Sequence, residues 1–177
     1  MRLLFHCCCG PCATACIESL DTEGITPALF WYNPNIHPHV EYHNRRDALM
    51  TLASAKNLPL EITGEYGLRF FLKSIGMEME PPQRCEICYR LRLERTAAYA
   101  ADQDFDAFST SLLISPYQQH DTIRRLAEEL AAQYHVDFLY RDFRPLFRQG
   151  QAKARALGLY MQKYCGCIFS LDERYKN

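Results

Sequence analysis

The chain opens on an apolar run, Arg2-Leu3-Leu4-Phe5-His6-Cys7, and residues 2–7 read as a short buried strand. Gly10-Pro11 then marks a turn into a helix over Ala13 to Leu20 that stops near Gly24. A second strand, Ile25 to Tyr32, ends in Asn33-Pro34-Asn35-Ile36-His37-Pro38, whose prolines and asparagines favour a rigid turn. Val40 to Lys56 reads as a helix with Tyr42, Leu49, Leu52 and Ala53 on its inner face, and Leu58 to Ile62 as a brief third strand. Glycines 64, 67 and 76 and the pair Pro81-Pro82 break up the next stretch around a short helix at Leu68 to Ser74, an excursion over the sheet. A long helix follows at Arg84 to Gln103, then a fourth strand at Asp106 to Leu112. The helix Gln119 to Tyr134 turns Ile123, Leu126, Ala127 and Leu130 inward at helical spacing. A fifth strand at Val136 to Tyr140, a short helix at Gln151 to Leu157 and a tail from Tyr160 to Cys167 complete the pattern. Strands alternating with helices predict an α/β fold, an open parallel sheet of about five strands with helices on both faces, in a single domain over residues 1–177.

At 177 residues and 48% hydrophobic, the chain can bury a core without crosslinks, so its nine cysteines are not needed as staples. Their number is odd, the N-terminus lacks a charged segment leading an apolar one, and no apolar run reaches spanning length. These features predict a soluble cytoplasmic protein with no membrane association. In a reducing compartment, clustered thiols serve metal ligation or redox catalysis. The net charge of −1 excludes a generally basic nucleic-acid binder, but Arg141, Arg144, Arg148, Lys153 and Arg155 form a local basic stripe.

The thiols come in three blocks: Cys7-Cys8-Cys9-Gly10-Pro11-Cys12, Cys85-Glu86-Ile87-Cys88 and Cys165-Gly166-Cys167. The first falls at the carboxyl end of the first strand, where open parallel sheets place their ligands. The second lies in the first turn of a helix, three residues apart and therefore on one face. Structural zinc usually takes two C-x-x-C knuckles, whereas iron-sulfur clusters accept four thiolates at wider spacing. Alternation along a strand sets Cys7 apart from Cys8, and Cys16 reads as buried filler. Seven candidate ligands remain, Cys8, Cys9, Cys12, Cys85, Cys88, Cys165 and Cys167, a surplus over one cluster that suggests a second metal or reactive thiols. His6 reads as a strand-end histidine and His37, His39 and His43 as part of a solvated turn and helix face, so none is assigned to metal. Tyr117 and Tyr164 read as packing residues that could also donate a proton in a cleft.

Taken in order, Cys8-Cys9-Gly10-Pro11-Cys12, Tyr32-Asn33-Pro34-Asn35-Ile36-His37-Pro38, Arg84-Cys85-Glu86-Ile87-Cys88-Tyr89, Phe108-Ser109-Thr110-Ser111-Leu112, Ser115-Pro116-Tyr117 and Gly158-Leu159-Tyr160 with Tyr164-Cys165-Gly166-Cys167-Ile168-Phe169-Ser170 resemble the QueH-type, cobalamin-independent epoxyqueuosine reductases. The match covers essentially the whole chain. The resemblance implies a fold like that of the adenine-nucleotide alpha-hydrolase and PP-loop proteins, a 4Fe-4S cluster with a nearby second metal, iron, and the last step of queuosine synthesis on tRNA. Some family members have aspartate where Cys12 stands, a position that the resemblance assigns to the second metal.

On that resemblance, Cys85, Cys88, one of Cys8 and Cys9, and one of Cys165 and Cys167 would hold the cluster. The other member of the first pair, with Cys12, would hold an open-coordinated iron acting as a Lewis acid. Cys9 and Cys12 are then the candidates at the reacting centre, with Tyr117 and Tyr164 as candidate proton donors. No Gly-rich dinucleotide fingerprint is present, so the two electrons would come through metal from an external donor. The partner would be tRNA with a GUN anticodon carrying epoxyqueuosine, its phosphates gripped by Arg141 to Arg155; no stable protein partner is expected. Two rival readings remain open. The Cys-Cys-Gly block with a distant C-x-x-C also resembles heterodisulfide reductases, and the same thiols suit a zinc-stabilised tRNA-binding module.

Overall fold

The structure is a computed structural model and describes residues 1–176. Its sheet has five parallel strands in the order β3-β2-β1-β4-β5. They are β1 (Leu3–His6), β2 (Ala28–Trp31), β3 (Leu60–Ile62), β4 (Ala107–Thr110) and β5 (Asp137–Phe138). Among the described residues the seven α-helices are α1 (Gly10–Thr22), α2 (His39–Lys56), α3 (Leu68–Ile75), α4 (Gln83–Asp102), α5 (His120–Tyr134), α6 (Phe147–Ala156) and α7 (Ile168–Tyr175). Helix α1 packs against α2 and α6, and α4 against α5. This is the expected α/β class. Every residue of β1 and β4 is buried, as strands covered on both faces must be, the polar His6, Ser109 and Thr110 included.

The central strand decides where function can sit. β1 pairs with β2 on one side and β4 on the other, so the chain reverses its winding between β1 and β4. The crevice beyond the carboxyl ends of those two strands is the place where such sheets bind ligands. Cys7, Cys8 and Cys9 leave β1 at that point, and Ser111 leaves β4 there. The turn after β2 braces the same edge, with Asn33 Nδ2 donating to the Cys7 carbonyl at 2.9 Å.

The structure departs from the sequence pattern in three places. β4 stops at Thr110, because the Thr110 hydroxyl accepts the Leu112 N–H and turns Ser111–Ile114 into a single 3-10 turn. Helix α6 starts at Phe147, four residues before the expected Gln151, and Gly150 lies inside it. A Cβ on Gly150 would stand 3.0 Å from the Ala15 side chain, so this glycine marks a close helix crossing rather than a break. Helix α7 was not predicted at all. It begins where the Cys167 sulfur accepts the Ser170 N–H, and cysteine is outside the usual set of capping residues.

Candidate metal centre and substrate cleft

The first block of thiols forms a tripod. The Sγ atoms of Cys8, Cys9 and Cys12 all lie within 4.8 Å of one another. Cys9 caps α1, its sulfur accepting the Cys12 N–H at 3.4 Å, and Gly10 next to it allows α1 to approach α2 closely. A Cβ there would sit 2.9 Å from the Ala48 carbonyl oxygen. Ser111 fixes Cys8 twice, its hydroxyl accepting the Cys8 N–H at 3.0 Å and donating to Cys8 Sγ at 3.4 Å. Gln162 Nε2 donates to Cys12 Sγ at 3.2 Å. Hydrogen bonds from Cys12 and Cys9 hold the Cys8 thiol well below its ordinary range. The shared bond with Cys8 pushes Cys12 up, and burial pushes Cys9 up.

The other four thiols face a second cavity. Cys85 and Cys88 project from the start of α4, and Cys165 and Cys167 from the tail, and all four line one space with Phe71, Arg84 and Arg92. Cys165 Sγ and Cys167 Sγ are 4.0 Å apart. Hydrogen bonding with Cys167 lowers the exposed Cys165 to about 5, assisted by Ser170 Oγ at 2.9 Å. Burial raises Cys88 to about 11. Of the seven candidate ligands, three thus form the tripod and four line this second cavity, with Cys165 also bordering the space that Cys8 and Cys12 line. Cys7 and Cys16 stand apart: both are buried, and their thiols donate to the carbonyls of Phe5 and Cys12, each at 3.3 Å.

Two side chains that the sequence did not single out anchor the tail. Arg45 is buried, paired with Glu41 at 2.7 Å, and donates to the carbonyls of Cys165 (3.0 Å) and Tyr164 (2.8 Å). Glu41 also accepts the Tyr160 hydroxyl at 2.5 Å. His37, read from sequence as part of a solvated turn, is buried. Its Nε2–H donates to the Pro34 carbonyl at 2.9 Å, leaving Nδ1 to accept the Ile168 N–H at 3.2 Å. The backbone of His37 donates to the Gly166 carbonyl at 2.8 Å, and the Tyr164 hydroxyl donates to the His37 carbonyl. Gly166 has φ +129°, a conformation L side chains rarely adopt, and a Cβ there would stand 3.2 Å from Arg45 Nη1 and Ile36. His39 and His43 are exposed, as expected.

A cleft of about 340 Å³ opens beside the tripod, lined by Cys8, Cys12, Ser111, Gln118, Phe147, Gln151, Gln162 and Cys165 among others. Tyr117 stands at its edge, 85% exposed, with its ring edge-on to Phe147 at 5.8 Å. It is not the packing residue expected. Tyr164 also lines the cleft, with its hydroxyl committed to His37. In the basic stripe, Arg141 pairs with Glu23 (2.7 Å), Arg144 with Asp142 (2.6 Å) and Lys153 with Glu18. Among the described residues, Arg148 and Arg155 have no carboxylate partner and both are exposed. No helix is long and apolar enough to cross a membrane.

Sheet and site together define an α/β protein of the open parallel type whose ligand crevice is lined by thiols in place of a phosphate loop. The family described as "Epoxyqueuosine reductase QueH" matches this sequence over residues 3–173. Its relatives include the epoxyqueuosine reductase QueH of Dehalococcoides mccartyi, 36% identical, with 98% of this chain and 94% of that protein covered. Those of Acinetobacter baylyi (37% identical; 97% and 81% covered) and Thermotoga maritima (35%; 97% and 91%) are similarly close. The chain belongs to the QueH epoxyqueuosine reductase family. Among solved structures, it shares its fold with a "predicted subunit of tRNA methyltransferase" from Methanocaldococcus jannaschii, at a TM-score of 0.53 and 14% identity, over 89% of this chain and 75% of that one.

The two buried histidines set an acid limit on this architecture. Burial lowers both His6 and His37 to about 4, whereas an unfolded histidine titrates near 6.5. Between those values the unfolded chain binds protons that the folded chain does not, so stability falls as pH falls. For His6, which is fully buried, the loss is on the order of 3 kcal/mol. Urea unfolding of the metal-free protein at about pH 7 and about pH 4.5 should show this decline, and equal stabilities at both would contradict it.

Proposed function

We propose that this chain reduces epoxyqueuosine to queuosine at the wobble position of tRNA with a GUN anticodon, in the cytoplasm, using electrons from an external donor. The observation that carries the reading is the sorting of seven thiols into a set of four and a set of three beside one open cleft. Four thiols around a single cavity, Cys85, Cys88, Cys165 and Cys167, fit the ligand set of a 4Fe-4S cluster. Three, Cys8, Cys9 and Cys12, fit one iron with a coordination position left over. When bound, these groups supply the two electrons and a Lewis acid for loss of the epoxide oxygen.

The polypeptide supplies the rest. A wobble nucleotide in a single-stranded loop can be splayed out at little unpairing cost, and Tyr117 and Phe147 offer aromatic faces at the mouth of the cleft for it. The amides of Gln118, Gln151 and Gln162 present donors and acceptors to the base and its substituent. Cys12 and Cys8 face that space, so the tripod meets the substrate directly. Of the two candidate proton donors, Tyr117 is the better placed, because its hydroxyl makes no hydrogen bond among the described residues while that of Tyr164 is taken by His37. Arg148 and Arg155 are the cations of the basic stripe with no carboxylate partner and so the ones ready to meet phosphate.

Nucleoside mass spectrometry on epoxyqueuosine-containing tRNA, after anaerobic incubation with iron-reconstituted protein and a chemical reductant, tests the proposal. It predicts loss of one oxygen's mass, abolished in Cys85→Ala; no conversion by protein with a spectroscopically verified cluster refutes it and favours the disulfide-reductase reading. Binding of tRNA should weaken with salt. Arg148→Ala should reduce the slope of log affinity against log salt by about one, and Arg141→Ala by less. Equal slopes for wild type and Arg148→Ala would remove Arg148 from the phosphate contacts.

A further inference from the structure

Arg92 lies one turn beyond Cys88 on α4 and is 3% exposed. Its Nε donates to the Cys88 carbonyl at 3.1 Å and its Nη2 to Cys88 Sγ at 3.3 Å, and it lines the cavity of the four thiols. Its guanidinium carbon lies 5.7 Å from the Tyr89 ring centroid. Among the described residues it has no carboxylate partner. The contrast with its neighbours is sharp. Arg45 is paired with Glu41 at 2.7 Å, and Arg84, which lines the same cavity, with Glu173 at 2.9 Å. On the sheet side, His6 is held neutral by burial and by Arg92 itself, so it neither adds to nor offsets the charge. A buried cation without a counter-ion is costly, and folded proteins normally pair it.

We propose that Arg92 is a counter-charge reserved for the metal-loaded state: its missing anion is the negative charge that the four thiols acquire when they ligate a cluster. The inference rests on the reading that Cys85, Cys88, Cys165 and Cys167 hold that cluster. Arg92 contacts a ligand and not the substrate cleft, so it is a positioning and charge-balancing residue. In the metal-free protein no carboxylate balances its charge and, of the four thiols, only the low Cys165 offsets it, so that charge opposes folding; in the loaded protein it favours the thiolates and, further, the reduced cluster, which carries one more negative charge per electron accepted. The same residue therefore acts with opposite sign in the two states. A residue that merely packed or held α4 together would act with the same sign in both.

The test compares wild type, Arg92→Met, which keeps the bulk and removes the charge, and Arg92→Lys, which keeps the charge. Thermal unfolding of the metal-free proteins should show Arg92→Met melting above wild type. After iron reconstitution, Arg92→Met should lose its cluster to a chelator about tenfold faster than wild type. Its reduction potential should fall by at least about 59 mV, a tenfold change in a one-electron equilibrium, with Arg92→Lys staying near wild type. A metal-free Arg92→Met that melts lower or fails to fold, or a loaded one whose cluster retention and potential equal those of wild type, overturns the proposal. Wild type that takes up no iron sinks the cluster reading itself, a result distinct from normal loading with an indifferent Arg92→Met.

Discussion

The guanidinium of Arg45 is the point on which the site depends, because Glu41 fixes it in place while it donates to two consecutive carbonyls of the tail. Those carbonyls belong to Tyr164 and Cys165, so the position of the last thiol pair follows from an ion pair inside α2. His37 and Gly166 complete the anchor, the first by taking the N-terminal N–H of α7 and the second by the backbone conformation at φ +129°. Removing one partner of a buried ion pair costs about 3–5 kcal/mol, since the other charge stays behind in a low-dielectric setting. The geometry of four thiols is thus tied to core stability. A tail held only by surface contacts could not bring residues 165 and 167 reliably to residues 85 and 88.

Burial pushes Cys9, Cys85 and Cys88 up, and positive charge placed beside the thiols works against it. Cys9 caps α1 and Cys167 caps α7, while Cys85 sits in the first turn of α4, so three helix N-termini bring partial positive charge to the thiols. Arg45 and Arg92 add two full charges, Arg45 paired with Glu41 and Arg92 bonded to Cys88 Sγ without a carboxylate partner. In each set one thiol is held low, Cys8 by bonds from Cys12 and Cys9 and Cys165 by its bond with Cys167. Thiolate is the ligating form, and each set therefore starts with one ligand prepared. The crevice at the β1–β4 reversal, a place where open parallel sheets can meet a phosphate at a helix N-terminus, is here lined by thiols beside the N-terminus of α1.

Much of the fold was legible in the sequence because its central strands β1 and β4 are buried and α5 buries Ile123, Leu126, Ala127 and Leu130 at helical spacing. The edge strands β3 and β5 are partly exposed and followed from their place between helices. The early start of α6 was hidden by Gly150, whose lack of a side chain serves a helix crossing that only the tertiary structure reveals. Helix α7 was hidden because its cap is a cysteine. The three cysteine blocks were legible from spacing, but their division into four and three was not, since the path of the tail is set by Arg45 and His37, each of which looks in sequence like an ordinary surface residue. The C-x-x-C at the start of α4 gave the direction of two thiols and left Arg92, a further turn along the same face, as one arginine among several.

The most direct measurement is Mössbauer spectroscopy of protein reconstituted with isotopically enriched iron, comparing wild type, Cys12→Ser and Cys85→Ser. Separate sites of three and four thiols predict that wild type shows a 4Fe-4S signal together with that of an isolated iron, that Cys12→Ser diminishes only the isolated iron, and that Cys85→Ser diminishes the cluster. Loss of the cluster signal in Cys12→Ser with the isolated iron retained would contradict the division and place the first block of thiols in the cluster.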